Sequence, residues 1–328
     1  MNGKERIASA LAVGLIALTG CRPADAGNQT RMPQTNITRS TDLATLKPAE
    51  QTKDNLKKEI LTFSWKDAEN SDKLKKFIDD LASGYLELTH TPRLNKEDLV
   101  GKGKTTFYSD SSSYVDAIRK FEPQFSPSPT NWGYTHYPSK KVLINLESIK
   151  KQAEAIGPAG LTITTATWHE WGHLDVAERI TGEFLNNPKF YFHSPISNVD
   201  EQFKKYRGGA IYTDTYYSFT RFEEVLNETI TARRIIGLLG ADANIAVSAD
   251  YYKNGVDFFS KFTDAYIPLE TLYQLHATSD LEGLAKLAGK NLPGEKDPVI
   301  KGLVLFRGIH EANADLIKET GVFEQIPK

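Results

Sequence analysis

The chain has 328 residues, 40% of them hydrophobic and 25% charged, with a formal net charge of −2. That length and apolar content suffice for a sizeable core, and the balance of charge lacks the basic excess needed to neutralise phosphates, so nucleic acid is not an expected partner. A single cysteine, Cys21, excludes a disulfide framework.

At the N-terminus, Lys4 and Arg6 precede an apolar run from Ile7 to Leu18, the order of an export signal. The run is shorter than the ~20 residues that span a bilayer. It leads into Leu18-Thr19-Gly20-Cys21, which resembles the lipobox of bacterial lipoproteins, where the Cys is acylated and becomes the first mature residue. Residues 1–20 are thus expected to be a lipoprotein signal peptide, with Cys21 the site of lipidation and the rest of the chain extracytoplasmic on a bacterial cell envelope. A mature chain without another thiol has no Cys nucleophile. Residue 22 is Arg, not the Asp that often retains lipoproteins at an inner membrane, which is compatible with an outer membrane where one exists. Residues 21–53 are rich in Thr, Asn, Gln, Ala and Pro and poor in aromatics, a composition expected to form a flexible tether.

An ordered domain is expected over residues 54–328. Leu74, Phe77, Ile78, Leu81 and Tyr85 repeat at helical spacing. Thr105 to Tyr108 and Lys141 to Leu146 read as strands. Between them Pro123, Pro127 and Pro129 interrupt regular structure, and Asn131 to Tyr137 suits a further edge strand. A long helix is expected after Gly157-Pro158, from about Leu161 to Ile180. Asn186 to Tyr217 shows no period, and so long an irregular stretch in a compact domain is more often functional than idle. Phe222 to Leu239 returns to helical spacing and ends at Gly240, a suitable C-cap. The remainder, to Ile317, reads as helices. Strands first and helices afterwards imply an α+β domain: a small mixed sheet packed on one long helix, then a mainly helical C-terminal part.

The long helix contains His169-Glu170-Trp171-Gly172-His173. Residues four apart share a helix face, so His169 and His173 can direct two imidazoles at one metal ion. Zinc is the usual metal for such a pair, held by three protein ligands with one position left open. Glu170 is placed to act as general base toward a water and then as acid toward a leaving amine. From composition alone this five-residue pattern arises in roughly one chain per hundred of this size, so the third ligand decides its meaning. Arg179, ten residues after His169, cannot bind zinc, and Met32 is the one methionine of the mature chain; together these exclude a metzincin.

A carboxylate from a second helix is the alternative, as in the gluzincins. Within Arg221 to Glu228, Glu224 and Glu228 are four apart on one helical face; resemblance to the gluzincins implies that the first acid of such a pair binds the metal and the second orients a metal-bound His. Glu223 with Asn227 is a competing pair. Glu224 is preferred because small Thr231 and Ala232 then follow where close helix packing needs them, and Glu223 remains the alternative ligand. His90, His136, His193, His276 and His310 lack ligand spacing and read as ordinary surface or core residues, with His193 in the long loop that borders the expected cleft.

Tyr217 lies seven residues before Glu224. His-Glu-x-x-His followed by a distant Tyr, then Glu and Glu at these spacings, resembles the catalytic domain of anthrax lethal factor and the Pro-Pro endopeptidases. Trp171-Gly172 is similar to that family's Phe-Gly filling of the motif. The resemblance covers the two motif helices and the loop between them, not the whole chain. The stretch from Phe219 to Phe222 departs from the family's more polar sequence, and Tyr212 and Tyr216 compete with Tyr217. The resemblance implies a zincin-like fold, Zn²⁺ as cofactor, a ligand in Glu224 and an oxyanion donor in Tyr217. Independently of family, one O–H donor at such a point can contribute ~3 kcal/mol. The expected function is a membrane-tethered zinc metalloendopeptidase acting on protein or peptide substrates. A zinc-binding lipoprotein without catalysis and a zinc-dependent cell-wall amidase are the alternatives.

Overall fold

The computed structural model describes residues 50–89, 94–123, 126–136, 139–153, 158–184, 220–240, 250–278, 280–310 and 312–322. The expected signal peptide, Cys21, nearly all of the tether, His90, His193 and Tyr217 lie outside the described residues.

The described chain begins with α1 (Glu50–Thr62), α2 (Trp65–Ala68), α3 (Ser71–Thr89) and α4 (Lys96–Val100). Helix α1 thus starts at Glu50, inside the stretch expected to be tether. Leu56 and Ile60, one turn apart, are buried and fasten it to the core. Capping boxes start two of the short helices, Ser64 with Asp67 and Asn95 with Asp98. In α3, Phe77, Ile78, Leu81 and Tyr85 are buried, the stripe that the spacing implies.

Strand β1 (Thr105–Tyr108) is followed by α5 (Ser111–Phe121), β2 (Gly133–His136), β3 (Lys141–Asn145) and α6 (Leu146–Ala153). The strands form one mixed sheet in the order β1-β3-β2, with β3 parallel to β1 and antiparallel to β2. The fold is therefore α+β. Alternation along β3 sends Val142 and Ile144 to the main N-terminal core, while Leu143 meets Tyr114, Ala117 and Ile118 of α5 on the opposite face. Helix α5 is started by Asp110, whose carboxylate accepts from Ser113 N at 2.8 Å.

Helix α7 (Ala159–Phe184) runs through the N-terminal core. Trp168 and Trp171 are fully buried, and Tyr85 meets both edge-on at 6.0 and 5.4 Å. Four threonines are buried with them, and three return their hydroxyls to carbonyls of the preceding turn: Thr162 to Ala159, Thr164 to Gly160 and Thr165 to Leu161. Gly160 lets α1 approach so closely that a Cβ there would strike the Ile60 carbonyl.

Helix α8 (Thr220–Leu239) ends at Gly240, which adopts φ +104°, a left-handed stop that favours glycine. The C-terminal part is all helical: α9 (Asp250–Tyr266), α10 (Leu269–Ala277), α11 (Leu281–Lys290), α12 (Pro298–His310) and α13 (Ala314–Glu319). Its core centres on Phe222, Phe259 and Phe306, with Phe222 stacked on Phe306 at 4.1 Å. Helix α8 belongs to both cores. Phe222, Val225, Leu226 and Ile230 enter the C-terminal one, whereas Ile235, Leu238 and Leu239 enter the N-terminal one. Among the described residues no helix is long and apolar enough to cross a membrane.

Candidate metal centre

The centre lies where α7 crosses the first turns of α8. Gly172 makes that crossing close: a Cβ there would overlap Asn227 Oδ1. Asn227 meets the backbone of His169 rather than an imidazole. Its amide donates to the His169 carbonyl at 2.7 Å and ties the helices together. Thr231 and Ala232, further along α8, are buried as well.

His169, His173 and Glu224 offer three ligand atoms that all lie within 4.8 Å of one another. The two Nε2 atoms are 3.0 Å apart, and Glu224 Oε2 stands 3.2 Å from one and 3.3 Å from the other. Tetrahedral zinc with bonds of 2.0–2.1 Å requires ligand atoms ~3.3 Å apart along each edge. The donor set and its spacing therefore fit a small divalent cation.

Both imidazoles have a carboxylate behind them. His169 Nδ1 is 2.5 Å from Glu228 Oε2, and His173 Nδ1 is 3.1 Å from Glu223 Oε1. A carboxylate at Nδ1 keeps the proton there and turns the Nε2 lone pair inward. Glu223, weighed from sequence as the alternative ligand, thus stands behind His173 while Glu224 faces the open ring nitrogens. Successive helical residues differ by about 100° in direction, so the two acids leave the helix at different angles.

The open ring nitrogens face one another and a carboxylate oxygen. Burial opposes charge on His169, but Glu228 and Glu224 outweigh it and hold the ring's pKa at about 10. Burial likewise opposes charge on His173, and Glu224 and Glu223 raise it well above the ordinary value. For Glu224 burial is outweighed by His173 and His169, which keep the carboxyl well below the usual range. The histidine side chains are 6% and 5% exposed and that of Glu224 is 30% exposed, so among the described residues the centre opens on the Glu224 side.

Glu170 is buried beside the edge strand β2. Thr135 Oγ1 donates to Glu170 Oε2 at 2.7 Å, and the acid's Oε1 lies against Gly133, where a side chain would collide with it. Burial raises the Glu170 carboxyl above its ordinary range, with His169 and His173 pulling the other way. Trp171, the next residue, is anchored to β1 through its Nε1, which donates to Thr105 Oγ1 at 3.0 Å.

No family model, curated protein or solved structure matches the chain.

Sequence reasoning overlooked Thr135 and His276. Strand alternation puts Gly133 and Thr135 on one face, but nothing in the pattern aims that face at Glu170. His276, read as an ordinary residue, is buried with Nε2 3.5 Å from Glu223 Oε1. His136 sits in β2, paired through Nδ1 with Ser139 Oγ at 2.7 Å and stacked on Phe121.

Proposed function

We propose that the chain is a zincin-like, gluzincin-type zinc metalloendopeptidase, lipid-anchored through Cys21 to the extracytoplasmic face of a bacterial membrane. One observation carries the reading: two imidazoles from one turn of α7 and a carboxylate from α8 converge at tetrahedral spacing, with a buried acid next to the first imidazole.

His169, His173 and Glu224 would hold the zinc, and Glu228 and Glu223 would fix the imidazole tautomers. Zinc, when bound, supplies Lewis acidity to a carbonyl and to an attacking water. Glu170 would serve as the general base that takes a proton from an attacking water. The Thr135 hydroxyl occupies Oε2, which leaves Oε1 to carry the proton and later deliver it to the leaving amine. Among the described residues strand β2 is an edge of the sheet, and its Gly133 and Thr135 flank Glu170. An extended peptide added to this edge would run past the acid with its backbone held by strand hydrogen bonds. Tyr217 is proposed as the oxyanion donor on its spacing from Glu224.

The 30% exposure of Glu224 favours a catalytic centre over a closed structural one. The test combines metal analysis with a peptide-library digest. Wild type should bind one zinc per chain and cut peptides, whereas Glu170→Gln should bind zinc equally and cut none. Zinc without cleavage in both proteins would support the non-catalytic alternative, and cleavage confined to cell-wall amides would support the amidase.

A further inference from the structure

Glu223 sits between two histidines. Its Oε1 lies 3.1 Å from His173 Nδ1 and 3.5 Å from His276 Nε2. Glu223 is 2% exposed and His276 4% exposed. The second histidine comes from the last turn of α10, in the all-helical part of the chain. Its Nε2 has no closer hydrogen-bond partner among the described residues, so Glu223 is the polar group that this buried nitrogen faces.

A second contact from the same helix reaches the other metal-bearing element. Tyr273, three residues before His276 and therefore on the same face of α10, donates its hydroxyl to Asp175 Oδ2 at 2.6 Å. Asp175 follows His173 by two residues on α7 and is 1% exposed. One face of α10 thus touches α7 through Tyr273 and α8 through His276.

We propose that His276 is a positioning residue for the metal centre: it holds Glu223 from behind, keeps that carboxylate on His173 Nδ1, and so leaves Glu224 to face the cation. The inference rests on reading His169, His173 and Glu224 as the metal ligands. Its physical basis is the freedom of adjacent glutamates. Each has three rotatable bonds, and both start from the first turn of α8 beside the same imidazoles, so the backbone alone does not assign their roles. A carboxylate faced by ring nitrogens on two sides has a fixed place, and the fixed carboxylate sets the His173 tautomer. At 3.5 Å the contact is long for a hydrogen bond and acts by orienting Glu223 rather than by binding it tightly.

The experiment measures Zn²⁺ affinity by chelator competition, and the visible spectrum of the Co²⁺-substituted protein, in the full chain and its His276→Leu, His276→Gln and His276→Asn variants. His276→Leu should weaken Zn²⁺ binding about 10-fold or more, the range found for partners behind metal-bound histidines, and should alter the Co²⁺ bands. His276→Gln places an amide N–H near the position of Nε2 and should restore most of the affinity, while the shorter Asn should not. In a Glu223→Gln background the His276→Leu change should add less than about twofold, because the coupled partner is already gone. Unchanged Zn²⁺ affinity in His276→Leu overturns the proposal, as do equal affinities for the Gln and Asn variants or fully additive losses in the double variant. If His276→Leu does not fold, the Gln-against-Asn comparison decides alone. A wild-type chain that takes up no zinc fails the metal-centre reading itself, which is a different result from wild-type binding that His276 does not influence.

Discussion

Around α7 the core buries Thr162, Thr164, Thr165, Thr167, His169, Glu170 and His173 beside two tryptophans, whereas around α12 it stacks Phe222, Phe259 and Phe306 with Leu303, Val304 and Leu305. Lys301 is also buried on the C-terminal side, and its ammonium is spent on the Leu292 and Gly294 carbonyls. Burying polar groups costs free energy unless each finds a partner. The threonines of α7 mostly find theirs within the helix. The histidines and the acid draw partners from α8 and β2 instead. The chemistry is thus concentrated where burial is most costly, and the apolar C-terminal half holds those partners in place.

The largest effect should come from the polar core. Glu170→Gln removes the general base and should lower turnover about 10³-fold with zinc retained, as single-turnover kinetics and metal analysis would show. Trp171→Ala and Phe306→Ala should each cost about 3–5 kcal/mol in denaturant unfolding. The comparison is sharpened by their metal content: the first should also weaken zinc binding, and the second should leave the affinity of the folded fraction near wild type. Equal zinc loss in both would mean that the halves do not divide the work. Gly172→Ala pushes α7 off Asn227 and should cost about 1–3 kcal/mol, with zinc binding weakened alongside. Glu228→Gln keeps the fold but loses the charge behind His169, and should weaken zinc binding about 10- to 100-fold.

The smallest and most graded effect is in pH. In the metal-free protein both imidazoles have raised pKa values, about 10 for His169. Their pairing with the carboxylates therefore stabilises the metal-free fold fully below the unfolded value near 6.5, and this contribution is lost as pH rises through the folded values. Zinc requires the neutral rings, so binding at pH 7 should release protons and affinity should climb with pH over the same window. Calorimetry in buffers of different ionisation enthalpy measures the release; none at pH 7 would contradict the charged pairs.

The spacing of His169 and His173 fixed their shared face in advance because helix geometry allows little else. The outlines of β1, β3, α7 and α8 were equally legible, and Gly240 marked its helix end correctly. Helix α5 was not, because Ser111, Ser112 and Ser113 hide the stripe of Tyr114, Ala117 and Ile118 behind poor helix formers. The roles of Glu223 and Glu224 stayed ambiguous since both lie within reach of the same rings, and a third element, α10, separates them. That element is distant in sequence and carries no ligand spacing, so His276 left no local trace.

Helix α8 anchors its first turns, Glu224 among them, in one core and its last in the other. Any sliding of the halves must bend or rotate this shared beam and draw the carboxylate off the imidazoles. A cut or a pull in either half would then register first as release of the ion, well before either half had melted.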